Sequence, residues 1–496
     1  MAALKPMVRS FSILIFGKYS KSCGRESLPA GISIGVAMAK GEGKYLYRRI
    51  CALILTAAAT AMFMFVWYRF VSVNNFTGNL LGRGNLGMSM SIYVILVIVI
   101  GSGLRAYNIG VERKSMVLAS IVLTLLATDT LEILVSMAIT GQFRFFGEFL
   151  WRYALLFCVQ SVALCLAAIP MIDLYRKIFP PLQLLEVYGD HKHGLHHKIN
   201  GVKFKYHVAE LVHYSIPMDQ LKEKMGHYDA VLISDVPSNY KNKILKLCLD
   251  SDKRVYLVPK ISDIIVKYSD ELKLIDTPLY LCRNTGMSAW ERFLKRFFDI
   301  LLSGIALILF SPLFLITAIA IKLEDGGPVF YKQERCTIGG QRFMIIKFRS
   351  MIVDAEKDGR PHPAGEKDDR ITKVGTIIRP LRIDELPQLI NILAGSMSVV
   401  GPRPERVEHV EQYTAEIPEF TFRSKVKGGL TGYAQVFGKY NTTALDKLKL
   451  DLIYIMNYSL LLDLQIIFET IKILVQRGST EGFSEERIEE IHGGKA

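Results

Sequence analysis

The chain has 496 residues, half of them hydrophobic, and a formal net charge of +14. Its length predicts more than one domain, and the positive mean hydropathy of +0.25 indicates a membrane protein. The basic charge suits a phosphate-bearing substrate or an anionic membrane. No nucleic-acid partner is expected, because the chain carries no recognition motif and little alternation of aromatic with basic residues. The seven cysteines lack metal-ligand spacing, so neither a disulfide framework nor a cysteine metal site is predicted.

We interpret residues 1–45 as an N-terminal extension. Met38 is followed by basic residues that are typical of the beginning of a membrane protein: Lys40, Lys44, Arg48 and Arg49. We therefore expect residues 1–37 to be dispensable or to result from a misplaced start.

Residues 46–178 are predicted to form a four-helix transmembrane bundle. Four hydrophobic stretches each have about the length of one bilayer crossing, near 50–70, 88–106, 116–139 and 147–170. Basic residues concentrate before the first stretch, between the second and third, and after the fourth, which places both ends of the bundle in the cytoplasm. Asp129 and Glu132 lie within the third stretch, where acids commonly mark function. We expect a structural role for them, because no matching intramembrane base is present.

Residues 179–286 alternate short apolar strands with polar helices, a pattern typical of a small Rossmann-like α/β domain. The pattern predicts strands at 183–189, 230–234 and 255–259, with helices around 217–226 and 238–250. Bulky charged residues follow the first strand, where a dinucleotide site needs spaced glycines, so the domain is predicted to be degenerate. A solvated loop explains the neighbouring histidines better than a metal site does: His191, His193, His196 and His197.

Residues 287–478 are predicted to form a mainly helical catalytic domain, followed by a polar tail at 479–496. An apolar run from Ile300 to Ala320 has the length of a membrane span but contains Ser311 and Pro312 in its middle. Proline removes a helical hydrogen bond and drives a kink. A spanning helix would also carry the charged region that follows it away from cytoplasmic nucleotides. We therefore predict a re-entrant helix–break–helix that enters and leaves by one leaflet.

Two adjacent carboxylates, Asp384 and Glu385, follow two arginines in the sequence. We expect the catalytic domain to be organised around this segment. Leu386, Leu389, Ile390 and Leu393 fall at helical spacing after them and are expected to hold a short helix on a core. Pro387 is tolerated only in a first turn, so the acids are predicted to lie at or just before the N-terminus of that helix. From these residues alone, an acidic helix cap and a phosphate-directed nucleophile both remain open.

Basic residues accompany the acids in nearby predicted turns and strands. Lys347 and Arg349 belong to an extended ribbon, while Arg403 and Lys439 follow glycine-containing turns. The candidate phosphate-binding residues are Lys347, Arg349, Arg379, Arg382, Arg403 and Lys439. Carboxylates, cations and an interfacial scaffold together favour phosphate chemistry at a membrane surface.

Ordered motifs from Lys295 to about Arg477 resemble those of the bacterial sugar transferase family, the monotopic phosphoglycosyl transferases. They are Lys295-Arg296-Phe297-Phe298-Asp299, Ser311-Pro312, Lys347-Phe348-Arg349-Ser350-Met351, Asp384-Glu385-Leu386-Pro387-Gln388-Leu389, Gly401-Pro402-Arg403-Pro404, Thr431-Gly432-Tyr433-Ala434-Gln435-Val436 and Leu462-Asp463-Leu464. The N-terminal helices and degenerate α/β domain resemble the long, polyisoprenyl-phosphate hexose-1-phosphate transferase branch of that family.

The resemblance implies transfer of sugar-1-phosphate from a nucleotide-diphosphate sugar, usually a UDP-sugar, to undecaprenyl phosphate, with release of UMP. Such a step initiates the synthesis of a polysaccharide or glycoconjugate such as exopolysaccharide or O-antigen. It implies Asp384 as the nucleophile of a covalent phosphosugar intermediate and Glu385 as the assisting acid, with Mg²⁺ held by both. The basic residues named above would bind the phosphates, and the catalytic domain would lie on the cytoplasmic face of a bacterial inner membrane.

Two other functions remain open at this stage. A non-catalytic membrane sensor or regulator of polysaccharide export would use the α/β domain as its receptor, and an ordinary glycosyltransferase would release UDP without a nucleophilic Asp. We further expect a homodimer. The sequence leaves the identity of the sugar and the roles of the bundle and α/β domain undetermined.

Overall fold

The computed structural model describes residues 30–69, 83–141, 146–189, 194–202, 204–274, 276–282, 287–353, 370–438 and 442–475. The chain folds into two compact units, Met1–Val258 and Pro259–Ala496. The predicted extension before residue 30 and the predicted C-terminal tail lie outside the described residues.

Four long apolar helices open the first unit. They are α1 (Ala30–Trp67), α2 (Arg83–Gly103), α3 (Lys114–Thr140) and α4 (Phe146–Ile178). Each contains a stretch long and apolar enough to cross a membrane. Their shared core is rich in aromatic side chains, and the ring of Phe63 stacks on that of Tyr93 with centroids 4.0 Å apart. The four predicted hydrophobic stretches thus lie in apolar helices whose buried residues share one hydrophobic cluster.

The two acids of α3 are buried and hydrogen-bonded to neutral groups. Tyr93 Oη donates to Asp129 Oδ1 at 3.2 Å, and Ser89 Oγ donates to Glu132 Oε1 at 2.7 Å. Tyr93 also exchanges hydrogen bonds with the buried side chain of Gln160 on α4. This polar network ties α2, α3 and α4 together, in agreement with the structural role expected for the acids.

A parallel four-stranded sheet follows the apolar helices in the first unit. Its elements are β1 (Leu182–Tyr188), α5 (Leu195–Asn200), β2 (Tyr206–His213), α6 (Met218–Gly226), β3 (Ala230–Ser234), α7 (Ser238–Asp250) and β4 (Arg254–Leu257). The strand order is β2-β1-β3-β4, and all pairs are parallel. Alternate residues of β1 and β3 enter separate hydrophobic clusters, so both faces of the sheet are buried. The apolar helices and this sheet agree with the predicted class, membrane α plus α/β.

The sequence prediction missed β2 in that sheet. Its two buried residues, Val208 and Val212, are separated by a segment that contains Glu210, so the strand lacks the continuous apolar run that identified β1 and β3. The loop containing His191 and His193 lies outside the described residues. Among the residues that are described, no group of three or more potential metal ligands occurs.

The second unit contains short elements around one long helix. They are α8 (Ile261–Lys267), β5 (Asp270–Leu274), β6 (Thr277–Leu281), α9 (Ala289–Asp325), β7 (Phe330–Cys336), β8 (Arg342–Phe348), α10 (Lys373–Ile378), α11 (Gln388–Ala394), β9 (Ser398–Val400), α12 (Val407–Glu416), β10 (Gly429–Thr431), α13 (Tyr433–Phe437), α14 (Ala444–Met456) and α15 (Leu460–Val475). Antiparallel ribbons join β5 to β6 and β7 to β8, and β9 pairs with β10 in parallel.

Helix α9 is bounded by two local signals. At its start Ser288 and Glu291 form a reciprocal capping box, and at its end Gly326 adopts a left-handed φ of 71°. The backbone of α9 remains helical through Pro312, where the sequence predicted a break. Ser311 Oγ donates to the Ile308 carbonyl oxygen at 2.8 Å. The re-entrant path of this helix therefore stays a prediction.

Both ends of α9 are fixed to the same compact unit. Near its start Lys295 Nζ pairs with Asp463 Oδ2 at 2.7 Å, and Asp299 Oδ1 accepts a hydrogen bond from the Val399 amide at 2.9 Å. At its end Glu324 Oε1 accepts from the Lys373 amide at 2.6 Å. The apolar face between these ends is largely exposed. Its exposed residues include Ile305, Ile308, Leu309, Leu315, Ile316 and Ile319.

Candidate active site

The segment that carries the two acids is a tight turn between α10 and α11. Residues Ile383–Glu385 form one 3-10 turn, and Pro387 precedes the first residue of α11. The acids therefore lie just before the helix, as predicted. Two of the expected core positions are wrong: Ile390 and Leu393 are exposed, and Ile392 is buried beside Leu389. The inner face of α11 is therefore rotated relative to the predicted face.

Arg382 holds an unusual backbone conformation immediately before the acids. Its φ of 55° and ψ of 21° lie in the left-handed region, which side chains with a Cβ rarely adopt. Such strain persists where surrounding contacts fix it, and it is common at functional sites. Here it turns the chain so that Asp384 and Glu385 can face different surroundings.

Glu385 is buried among three cations. Its Oε1 lies 2.7 Å from Arg403 Nη2 and 3.2 Å from Lys347 Nζ, while its Oε2 lies 3.4 Å from Arg382 Nη1. Burial raises the pKa of Glu385, but the charges of Arg403, Lys347 and Arg382 outweigh it and hold the pKa well below its ordinary value. Glu385 is therefore a fixed anion.

Asp384 has a different environment from its neighbour. No hydrogen bond or ion pair of its carboxylate occurs among the residues that the structure describes. Burial raises the pKa of Asp384 to about 6, and the negative charge of Glu385 adds to the rise. The positive charges of Lys347, Arg379 and Arg382 act in the opposite direction. At pH 7 such a carboxylate is roughly nine-tenths ionised, more basic than an ordinary aspartate and free to react.

Two strands deliver the cations to this turn. Lys347 projects from β8 and is largely buried, and burial lowers its pKa although Glu385 opposes that shift. Arg403 follows β9 through Gly401 and Pro402. A Cβ at Gly401 would clash with the carbonyl oxygen of Lys427, so only glycine allows this close approach of the two backbones.

A buried ion pair helps to hold the backbone of Arg403 in place. Arg423 Nη2 donates to the Arg403 carbonyl oxygen at 3.1 Å, and Arg423 Nε contacts Asp451 Oδ2 at 2.6 Å. Both side chains are buried. The sequence prediction missed Arg423 and Asp451, because they lie in separate helical segments that carry no recognisable site motif.

The structure brings some predicted site residues together and separates others. Lys347, Arg382 and Arg403 contact Glu385 directly, whereas Arg379 acts on Asp384 through its charge. The guanidinium of Arg349 instead pairs with Asp325 at the end of α9, through Nη1–Oδ2 at 2.6 Å and a second Nη2–Oδ1 contact. Its contact with phosphate stays a prediction, and in this structure its guanidinium is paired with Asp325.

Other predicted positions lie elsewhere. Ser311 and Pro312 are inside α9. Lys439 falls outside the described residues. The structure also adds a cation that the prediction did not include, Arg335 on β7, close to the Arg403 turn.

The raised pKa of Asp384 predicts the pH dependence of any reaction in which it is the nucleophile. The reactive form is ionised, so the rate is expected to be maximal above the pKa and to fall as pH drops through about 6. The measurement is a single-turnover rate between about pH 5 and pH 8 with only the substrate that Asp384 attacks, so that ionisation of a second substrate has no influence. A rate that stays constant over that range would contradict the assignment.

Comparison with known proteins adds independent evidence. The bacterial sugar transferase family matches residues 290–477, which contain the acids and the three cations that contact Glu385. The UDP-N-acetylgalactosamine-undecaprenyl-phosphate N-acetylgalactosaminephosphotransferase of Aeromonas hydrophila is 41% identical over 262 residues, 50% of this chain and 59% of that protein. The UDP-glucose:undecaprenyl-phosphate glucose-1-phosphate transferase of Escherichia coli (strain K12) is 38% identical over 234 residues, 46% of this chain and 50% of that protein.

A shorter relative is covered more completely. The exopolysaccharide production protein ExoY of Rhizobium meliloti (strain 1021) is 40% identical over 200 residues, 37% of this chain and 87% of that protein. By contrast, this chain spans only about half the length of the Aeromonas and Escherichia relatives.

Apolar helices, a carboxylate pair and a surrounding set of cations define a membrane-associated protein with a site suited to phosphoryl groups. The chain belongs to the bacterial sugar transferase family, in its long-chain branch, as the sequence motifs predicted.

Proposed function

We propose that this protein transfers sugar-1-phosphate from a UDP-sugar to undecaprenyl phosphate through a covalent intermediate on Asp384. The observation that carries the proposal is the contrast within the acid pair. Glu385 is fixed by three cations, while the Asp384 carboxylate has a raised pKa and no hydrogen bond or ion pair among the described residues. Adjacent carboxylates with different environments indicate different roles. The names of the relatives supply the substrate class.

Two displacements at phosphorus account for the reaction. An Asp384 carboxylate oxygen attacks the sugar-linked phosphorus, the bond from that phosphorus to the bridging oxygen breaks, and UMP leaves with the electron pair. A phosphate oxygen of undecaprenyl phosphate then attacks the same phosphorus and breaks its bond to Asp384. The products are the lipid-diphosphate sugar and the free carboxylate. Each step joins anions, so nearby cations are needed to stabilise the transition state.

That positive charge comes from Lys347, Arg403 and Arg382. The Glu385 carboxylate fixes the positions of these three side chains. Because Glu385 neutralises one of the three charges, the cluster keeps a net positive charge for the substrate phosphates. Mg²⁺ fits the site through the Asp384 carboxylate, since this ion binds one or two carboxylates together with substrate phosphates. Glu385 is less available as a ligand, because both its oxygens contact cations. When bound, the ion would supply further charge neutralisation at the phosphates.

We also propose that α9 enters and leaves the membrane by the cytoplasmic leaflet of a bacterial inner membrane. A straight helix of this length would extend about 55 Å. Its two ends are nevertheless fixed to the same compact unit, while its middle exposes a broad apolar face. A crossing would place those ends on opposite sides of the bilayer. The first unit would cross as the predicted four-helix bundle and carry the degenerate α/β domain.

Replacing Pro312 with Ala tests the re-entrant path. Alanine restores the missing amide donor and removes the ring clash, so we expect the variant to favour a straight, spanning α9. Cysteine labelling from each side of the membrane, with single cysteines introduced before and after α9, measures the change. The expected result is loss of cytoplasmic labelling on one flank. Unchanged cytoplasmic labelling of both flanks would show that the proline does not decide the path.

Homodimer formation is a further part of the proposal. The β5–β6 ribbon is an isolated two-stranded hairpin, and such hairpins have marginal stability without a partner. It exposes the apolar side chains of Leu272, Leu279, Tyr280 and Leu281. A molecular mass of one chain in membrane-derived nanodiscs, measured by mass photometry, would contradict the dimer.

Intact-protein mass spectrometry tests the covalent step. Protein incubated with a UDP-sugar and no lipid acceptor should gain the mass of one sugar phosphate, on a peptide that contains Asp384. Addition of undecaprenyl phosphate should remove that mass. A regulator or an ordinary glycosyltransferase would gain no phosphosugar, so absence of the adduct under conditions of proven turnover would exclude the mechanism.

A further inference from the structure

Arg335 lies next to the cation cluster but was not among the predicted site residues. In the β7–β8 ribbon Tyr331 faces Lys347, and Arg335 faces Phe343. Side chains alternate along a strand, so Arg335 shares the ribbon face of Tyr331 and hence of Lys347. The end of β7 also contacts the segment after Arg403, since the Cys336 amide donates to the Glu405 carbonyl oxygen at 3.1 Å.

Among the described residues, Arg335 donates hydrogen bonds only to neutral acceptors. Its Nη1 donates to the Pro404 carbonyl oxygen at 3.3 Å, and its Nη2 donates to Gln333 Oε1 at 2.6 Å. Its Nε is buried and has no hydrogen-bond partner within the same described segments. No carboxylate lies within ion-pair distance of Arg335 in the part of the chain that the structure describes.

The charges around Arg335 compensate its own charge only in part. Glu405 interacts favourably with Arg335, but its carboxylate already lies 3.8 Å from Lys447 and 4.0 Å from Arg423. Burial, together with the positive charge of Arg403, lowers the pKa of Arg335 to about 10, although the negative charge of Glu405 opposes the shift. A desolvated guanidinium beside a second guanidinium is unfavourable unless an anion binds between them.

We propose that Arg335, together with Arg403, binds a phosphate group of one of the two substrates. The planar guanidinium matches the geometry of phosphate oxygens, and among the described residues the Nε donor of Arg335 has no hydrogen-bond partner. The inference rests on the proposed function for the identity of the substrates. The phosphate belongs either to the UDP-sugar or to undecaprenyl phosphate. In both cases Arg335 adds a cation to the predicted phosphate-binding residues.

A purely structural role is the competing explanation. Arg335 would then serve to hold the Gly401–Pro404 turn through the Pro404 carbonyl oxygen. This role depends on one hydrogen bond of 3.3 Å and predicts loss of thermal stability with no selective effect on substrate affinity. Phosphate binding predicts a selective change in KM.

Steady-state kinetics of Arg335→Gln and Arg335→Lys test the inference. We expect Arg335→Gln to raise KM for one substrate by about tenfold or more, with a smaller change in kcat. Arg335→Lys keeps the positive charge but loses the paired donors of the guanidinium. Its KM for that substrate should therefore lie between those of wild type and Arg335→Gln. Arg342→Gln is the matched control, because Arg342 lies on the partner strand, is exposed and already pairs with Glu334 and Glu411. It should leave both KM values unchanged.

The substrate whose KM rises identifies the source of the phosphate. A rise for the UDP-sugar assigns the donor, and a rise for undecaprenyl phosphate assigns the acceptor. Unchanged KM values for both substrates would overturn the inference, as would an equal loss of activity and thermal stability in the Gln and Lys variants.

Binding measurements separate this inference from the proposed function. UDP and uridine are titrated against detergent-purified wild-type protein and Arg335→Gln, with no turnover required. If the phosphate belongs to the UDP-sugar, UDP should bind Arg335→Gln about tenfold or more weakly than wild type, while uridine binding is unchanged. In the acceptor case the same experiment uses undecaprenyl phosphate against undecaprenol. A wild-type protein that forms no UMP defeats the proposed function. Equal phosphate affinity of wild type and variant defeats the role of Arg335.

Discussion

Asp384→Asn should abolish turnover while leaving the fold and membrane insertion intact. The substitution removes the nucleophile, and an amide cannot form the acyl-phosphate bond, so we expect kcat to fall by a factor on the order of 10⁴ or more. Stability should not fall with it, because the Asp384 carboxylate makes no hydrogen bond or ion pair among the described residues.

The direction of the Asp384 pKa shift indicates how the substitution should change stability. The folded state raises the pKa of Asp384 to about 6, so its ionised form opposes folding at neutral pH. Neutral Asn removes this cost. The melting temperature at pH 7 should therefore stay the same or rise by a few degrees. Activity assays and thermal unfolding of the same preparation test both parts.

Asp276→Asn is a suitable control, because Asp276 is exposed in the turn of the β5–β6 ribbon and undergoes the same change of charge. It should retain full activity. An active Asp384→Asn variant would contradict the covalent mechanism. If the variant is inactive because it is unfolded, the role of Asp384 is tested instead by mass spectrometry of the wild-type protein.

Glu385→Gln should produce the opposite effect on stability. Glu385 has a pKa held well below its ordinary value, so its ionised form stabilises the fold at neutral pH, and this contribution disappears only as pH falls through the low folded pKa. The substitution leaves Lys347 buried without its anionic partner. Removing one member of a buried ion pair costs about 3–5 kcal/mol. Because Arg403 and Arg382 are partly exposed to water, we expect the lower end of that range.

The same variant should also change the reaction. Without a fixed anion the three cations are no longer held in place, and kcat should fall by about 10²–10³-fold. The residual activity should extend to lower pH, because the negative charge of Glu385 contributes to the raised pKa of Asp384. The pH–rate profile of single-turnover UMP formation measures this shift.

Glu411→Gln provides the matched control for Glu385, since Glu411 is exposed and pairs with Arg342 at 3.7 Å. It should alter neither stability nor the pH profile. An acid limb that moves to higher pH in Glu385→Gln would show that the charges around Asp384 are wrongly assigned.

Local sequence signals were sufficient where one physical effect dominates. Continuous apolar runs located α1 to α4, since the length needed to cross a bilayer leaves little freedom. The strand Ala230–Ser234 and the helix Ser238–Asp250 were predicted with the boundaries that the structure has. Pro387 placed the acids before α11, because proline restricts where a helix can begin.

Tertiary contacts determine the features that these local signals do not show. Arg349 lies two positions after Lys347, and a motif cannot show that Arg349 pairs with Asp325 at the end of the preceding helix. Arg335 carried no distinguishing signal, because its environment depends on a turn that lies far away in the sequence. The burial of Ile392 rather than Ile390 depends on what α11 packs against, since Ile392 lies in a cluster with Ile345 and Met397, and local spacing does not show such contacts.

The most direct test of the account is the identity of the released nucleotide. Purified protein in membranes is incubated with undecaprenyl phosphate, Mg²⁺ and a panel of UDP-sugars, and UMP and UDP are separated and quantified. The account predicts UMP, lost in Asp384→Asn, together with a lipid-diphosphate sugar whose identity names the donor. Release of UDP would contradict it, because the sugar alone would then be transferred and Asp384 would have no covalent role.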